Sequence, residues 1–324
     1  MSFLRTAFAI ALLAATGEST SSAALKSTKV PRYDAAVAKS VAYMTANKDK
    51  IAEKEKTLAA YALMKAGVPE TDPIVAEGIK IAKERAAGGG YARAGYDHIY
   101  LAGVDSMLLA DVGDPGLNFV ELQAIANYVQ SVQRADGSWS NTAISPADIS
   151  MSQYGVLALW AAQRIGCKVS AAALDNAASF FAKGKKGDGG WPYRPGTTEG
   201  PGRGTSTRNM TLAAAGSIAV ARTLLHGPRG FKKEKPKEDN VKYGVLEKAA
   251  PDIELPGKNG SSFPQYNAKS GASAMDTLVD TGIGWNQRNS TPVSKQEHKI
   301  YYYYALERAS ALADLPDGWY TKYR

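Results

Sequence analysis

Two stretches of this chain are apolar on nearly every side: Tyr154 to Ala162 and Leu212 to Ala221. A helix with no polar face has to be buried all round. The segments alternating with them are different. Between Leu117 and Val132, the residues Phe119, Leu122, Ile125, Ala126 and Val129 recur at helical spacing, while Glu121, Gln123, Asn127 and Gln130 are placed to face water. One set of helices buried inside another set requires a two-layered arrangement. The spacing predicts five hairpins: 33–45 with 57–66, 74–86 with 97–111, 117–134 with 150–165, 171–183 with 208–225, and 240–250 with 297–313. Sustained alternation of apolar and polar residues is missing, so any sheet is minor. The expected fold is all-α, an α/α toroid in which inner helices are ringed by outer ones. Five hairpins leave that ring either closed or open like a horseshoe.

The punctuation agrees. Gly67, Gly113 and Gly166 each follow an apolar run, where a left-handed residue ends a helix at least cost, and Pro69, Pro73 and Pro115 fall in or beside the connections. The segment Gly227-Pro228-Arg229-Gly230 followed by Phe231 to Asp239 is broken and charged, which marks residues 228–262 as a surface insertion in a single domain spanning 25–324.

A repeat underlies the pattern. Gln133-Arg134-Ala135-Asp136-Gly137-Ser138-Trp139 returns as Lys185-Lys186-Gly187-Asp188-Gly189-Gly190-Trp191, 52 residues later. Such a period suits stacked helical hairpins. Weaker copies place Tyr91 48 residues before Trp139 and Phe263 72 residues after Trp191.

The N-terminus reads as an export signal. Arg5 precedes nine apolar residues, Ala7 to Ala15, and Ser22-Ala23-Ala24 supplies small residues before a cleavage site. Nine residues are too few for a membrane span, which takes about 20; the alternative is an uncleaved amphiphilic N-terminus. Export places the product in the periplasm or outside the cell, with no transmembrane span once residues 1–24 are removed. The chain of 324 residues carries a formal charge of +8, and losing both Arg5 and Glu18 leaves that balance intact. A basic surface suits an acidic partner such as an anionic polysaccharide, a membrane surface or nucleic acid. Nucleic acid is a poor fit, because the basic run Lys232 to Lys237 is interrupted by Glu234 and has no interleaved aromatics for base stacking.

These residues resemble the terpenoid cyclase and protein prenyltransferase superfamily, whose repeats carry a glutamine, then Asp-Gly, a small residue and tryptophan. Gln133, Asp136, Gly137 and Trp139 match that order. In the second copy Asp188, Gly189 and Trp191 match, with Lys185 in place of the glutamine. The chain is also similar to exported repeat proteins of planctomycete type, in Asp148 to Tyr154, Gly189 to Arg194, Arg208 to Thr211 and Tyr301 to Arg308. The resemblance implies that Gln133, Trp139 and Trp191 fasten the end of one outer helix to the next repeat. It does not carry over the relatives' chemistry. The Asp-x-Asp-Asp run that protonates an alkene is missing, and the sole cysteine, Cys167, has no histidine at zinc-ligand spacing. No metal and no cofactor is expected.

The candidate ligand groove is the mouth of the inner helices. His98 and His298 fall near the start of two of them, and Asp97, Asp148, Gln153, Tyr193, Arg194, Arg208, Asn209 and Tyr302 share that level. The competing reading is that these side chains cap helices and pair with one another. If the mouth is catalytic, a histidine or tyrosine base beside an arginine suits a polysaccharide lyase; a divergent isoprenoid cyclase is the other enzymatic alternative. Binding or scaffolding is the leading expectation. Gly88 to Gly90 lacks the Lys-Ser/Thr of a phosphate loop and is read as a turn. The four consecutive rings Tyr301 to Tyr304 point in every direction around a helix, so they either line the interior or cover an open side of the arc.

Overall fold

Helix Ile149–Arg164 has thirteen buried residues out of sixteen, and it sits among other helices on all sides. The computed structural model describes residues 25–26, 31–91, 95–114, 116–141, 146–197, 204–229, 260–290, 298–313 and 315. Ten α-helices lie in those segments: α1 (Pro31–Ala46), α2 (Lys56–Lys65), α3 (Pro73–Arg85), α4 (His98–Ala110), α5 (Phe119–Ser131), α6 (Ile149–Arg164), α7 (Ala171–Gly184), α8 (Arg208–His226), α9 (Ala272–Arg288) and α10 (Lys299–Leu312). The only sheet among the described residues pairs β1 (Trp191–Pro192) with β2 (Ser206–Thr207), antiparallel. The fold is all-α.

Burial divides the helices into two layers. The even-numbered α2, α4, α6, α8 and α10 pack on one another in sequence, each against the next. Odd-numbered helices lie against them: α3 on α2 and α4, α5 on α4 and α6, α7 on α6 and α8, α9 on α8. Alternation of apolar and amphipathic segments in the sequence is this layering. The first outer helix, α1, contributes Val41 and Met44 to a small second cluster with Leu63, Ile74 and Val75. Starts are set by side chains: Asp72, Asp148, Ser170 and Thr207 each accept an amide hydrogen bond from the first turn of α3, α6, α7 and α8.

The fifth outer helix is a correction to the sequence reading. It is Ala272–Arg288, which buries Met275, Val279 and Ile283 against α8. The stretch 240–250, expected to fill this role, lies outside the described residues, as do residues 1–24 with their signal reading, Pro115, and most of the charged insertion 228–262. Helix α9 escaped notice because its apolar residues are diluted by Asp276, Thr277, Asp280 and Thr281, which leave a narrow stripe.

Both copies of the repeat motif make the same bonds. Trp139 Nε1 donates to the Val129 carbonyl at 2.8 Å, and Trp191 Nε1 donates to the Phe181 carbonyl at 2.7 Å. Each acceptor stands in the last turn of the preceding outer helix, where carbonyls lack an intrahelical partner. The backbone amides of these tryptophans bond onward to Ser152 and Thr211, at the start of the next inner helix. Asp136 and Asp188 each accept the amide two residues ahead, at 3.0 and 2.9 Å. Gly137 and Gly189 between them hold φ of +87° and +91°, a region that favours glycine. A Cβ on Gly137 would stand 2.1 Å from the Asn176 carbonyl oxygen. Gln133 completes the first copy by donating to the Gly137 and Ala173 carbonyls.

Replacing either indole by phenylalanine keeps a ring but strands a buried carbonyl. Trp139→Phe and Trp191→Phe are each expected to lose about 1–3 kcal/mol, read as a lower urea midpoint with unchanged helical circular dichroism.

Candidate functional site

Three separate groupings hold the side chains expected at the mouth. The first is built on the start of α6. Asp148 caps that helix through Oδ1, which accepts the Met151 amide at 3.0 Å, and the Tyr193 carbonyl accepts the Ile149 amide at 3.1 Å. This anchors the loop that carries Tyr193 and Arg194 beside the helix end. Tyr193 faces the buried Asp148 carboxyl, and Arg194 lies 5.8 Å from the centre of the Tyr193 ring. Both are half-buried, so each keeps a face open to solvent. Beneath them Tyr100 donates to Ser150 Oγ at 2.9 Å, and Tyr301 donates to Gln153 Oε1 at 2.6 Å.

Burial pushes Asp148 above the usual carboxylate range, although the Met151 amide, the Tyr193 hydroxyl and Arg194 pull it down. Tyr193 is also raised, by burial first and by the Asp148 charge second. The consequence is chemical. A phenol raised in this way is a poor base near neutral pH, and a carboxyl raised by burial is a weaker acid than a free one.

The second grouping joins α8, α9 and α10. Arg208 is buried, donates to Asn286 Oδ1 at 3.1 Å and to the Tyr302 hydroxyl, and lies 4.1 Å from the Tyr302 ring centre. Asn209 follows it, also buried, in the first turn of α8. Burial lowers the Arg208 pKa while Tyr302 opposes the shift.

The third surrounds the start of α4. Asp97 pairs with Lys54 at 3.3 Å. His98 bridges the Tyr128 hydroxyl at 2.8 Å and the Ser140 carbonyl at 2.9 Å, so both ring nitrogens are engaged within the protein. His98 and Tyr128 border a cleft of about 700 Å³ that also takes in Gln133, Arg134, Asp136 and Asn141. His298 joins none of the three; it is exposed, at φ +52°, just before α10.

The rings Tyr301 and Tyr304 line the interior, one of the two roles expected of them, and there they meet Tyr154 of the buried helix α6 and Tyr100, which carried no assignment. Tyr100, Tyr154, Tyr304 and Tyr301 form a chain of rings, with centres 5.0, 6.3 and 6.5 Å apart in turn. Helix α10 thereby reaches past α8 to touch α6, and Arg308 carries it to Met107 on α4. The signal was present in the spacing: Tyr301, Tyr304 and Arg308 stand at i, i+3 and i+7, one face of a helix. At the opposite end of α4, Asp111 takes Arg164 at 2.7 Å and Lys65 at 3.3 Å. Burial works against the charged Asp111, yet these two cations hold it below the usual range.

Among the described residues no group of three His, Cys, Asp or Glu side chains is placed to hold a metal ion, and no helix is long and apolar enough to cross a membrane. Comparison with protein-family models and with curated proteins finds no match to this chain.

The folded state binds the Asp148 proton more tightly than the unfolded chain does. Stability therefore falls as pH rises from the ordinary carboxylate range through the raised folded value. Asp148→Asn keeps a capping acceptor and removes the titration. The variant is expected to gain on the parent between about pH 4 and about pH 7, measured by urea unfolding at both ends. An unchanged difference would show that Asp148 keeps its ordinary pKa.

Proposed function

We propose that this chain is an exported binding protein, an α/α toroid that takes an acidic polysaccharide at the mouth of its inner helices. The observation that carries the reading is the Tyr193–Arg194 pair. A backbone bond to Ile149 fixes its position, and both side chains are half-open to solvent. A flat ring packs on the C–H face of a sugar, and a guanidinium beside it pairs with a uronate carboxylate. The chain's charge of +8 favours the encounter. The matching indole and Asx bonds at Trp139 and Trp191 support the likeness to terpenoid cyclase and prenyltransferase repeats as architecture, without importing their reactions.

The tyrosine beside an arginine is also what the lyase alternative needs, and the acid in a tyrosine-lined interior is what a cyclase needs. The electrostatics favour neither. Tyr193 is raised, which works against proton abstraction, and Asp148 is raised, which weakens it as an acid toward an alkene. His98 has both nitrogens bonded to groups that are neither Arg nor Asp. Binding without turnover is the reading that the half-open Tyr193–Arg194 pair supports best.

The test uses the mature chain with uronate polymers, following binding by calorimetry and lysis by the absorbance of unsaturated products. Binding with no absorbance change is expected, and Arg194→Ala is expected to weaken it about tenfold, the loss of one charge-assisted hydrogen bond. Unsaturated product that disappears in Tyr193→Phe would replace this reading with the lyase.

A further inference from the structure

The cleft of about 700 Å³ between the start of α4, the end of α5 and the repeat turn that follows has the size of a small-molecule site. His98 and Tyr128 form part of its wall and are locked together. The Ser140 carbonyl can only accept, so His98 Nε2, 2.9 Å away, carries the proton, and Nδ1 of the neutral ring accepts from the Tyr128 hydroxyl at 2.8 Å. This bond fixes the Tyr128 ring, which is half-buried and lines the cleft. Tyr96 is exposed and follows the lining residue Gly95, and its carbonyl accepts from the Asn141 side-chain amide at 3.1 Å. Two rings thus stand at the cleft, one anchored through its hydroxyl and the other through its backbone.

The polar groups beside these rings offer acceptors. Gln133 spends both amide hydrogens on the Gly137 and Ala173 carbonyls, at 3.0 and 2.9 Å, so what its side chain still offers is Oε1. Asp136 commits Oδ1 to the Ser138 amide and hydroxyl, at 3.0 and 2.6 Å, and Oδ2 takes no part in that turn. Asp136 is exposed and Gln133 half-buried, so solvent reaches both side chains. Arg134 comes within 3.8 Å of Asp136. These two are the charged residues of the lining, and their charges cancel. A ligand matched to this surface brings hydroxyl donors for the oxygens, C–H faces for the rings and no net charge.

We propose that this cleft binds a neutral disaccharide. The sugar rings lie against Tyr128 and Tyr96, and hydroxyl groups donate to Gln133 Oε1 and Asp136 Oδ2. Charge selects against the alternatives, since an acidic sugar meets Asp136 and an amino sugar meets Arg134. The site shares no residue with the Tyr193–Arg194 rim and does not depend on what binds there.

The experiment titrates the mature chain with maltose and cellobiose, read by calorimetry and by broadening of the sugar proton resonances. Fully O-methylated cellobiose keeps the C–H faces and loses every hydroxyl donor; the glucosamine dimer of the same linkage adds ammonium groups. At least one of the neutral disaccharides is expected to bind with Kd of about 1 mM, the methylated sugar about tenfold more weakly, and the glucosamine dimer more weakly than cellobiose. Asp136→Asn keeps an Oδ1 acceptor for Ser138 and replaces Oδ2 by an amide, while Tyr96→Ala removes a ring from the surface. Each is expected to weaken disaccharide binding about fivefold with unchanged circular dichroism. If Asp136→Asn folds poorly, Tyr96→Ala decides. No binding of either disaccharide, equal binding of the methylated sugar, tighter binding of the glucosamine dimer, or unchanged affinity in a folded variant would each overturn the site. A sugar held at the Tyr193–Arg194 rim would give that last result, so the outcome is decided at the cleft whatever the uronate assay gives.

Discussion

Helices α4, α6 and α8 offer water almost no polar surface, and their backbones must approach other elements closely if no void is to remain between them. Small residues make that approach. Gly103 lies against Tyr154, where an added Cβ would come within 2.8 Å of the ring, and Gly155 lies against the Trp139 indole at 2.6 Å by the same measure. The large ring of one element thus fills the gap left by the glycine of another, and packing reaches interior density. Because the indole seated on Gly155 also bonds the end of α5, tightening the inner layer fixes the outer layer at the same contact. Layering, repeat motif and loop geometry share this one constraint.

Closing a core around helices of this kind leaves few places for charge, and the molecule treats each differently. Asp105 is fully buried and raised by that burial, while Arg85, Thr57 and Tyr91 surround it with donors. Asp175 ties the outer helix α7 to the segment before α9, accepting the Lys269 and Ser270 amides and the Tyr266 hydroxyl. Such networks hold a structure because every member is answered. Arg308 stands outside that pattern: it meets the Met107 sulfur and the Tyr304 ring in place of an oxygen acceptor.

The degree to which the sequence disclosed all this follows from the range of each interaction. Helix positions were legible because they follow from local spacing: the segments 74–86, 150–165 and 208–225 match α3, α6 and α8 to within one residue at either end. The tryptophan staple was legible only through the repeat motif and the resemblance it carries; the acceptors, the Val129 and Phe181 carbonyls ten residues earlier, came from the structure. The mouth was not legible as a unit. Asp148, Gln153, Tyr193 and Arg194 gather there, while Arg208 and Tyr302 turn to Asn286, and Asp97 and His98 turn to Lys54 and Tyr128. Each partner is supplied by a different helix, so a common level in a repeat says nothing about which neighbour a side chain reaches.

By itself, the sequence determined an all-helical chain in two layers, with tryptophan and Asp-Gly motifs at the joints, because hydrophobic period and turn chemistry act over a few residues. Tertiary structure alone decided that α9 comes from 272–288, that α10 runs back across α6 to α4, and that Arg308 meets a sulfur and a ring. Those outcomes depend on which surfaces meet after 50 to 200 residues of intervening chain have folded, and the Met107–Arg308 contact, 201 residues long in sequence, is the far end of that range.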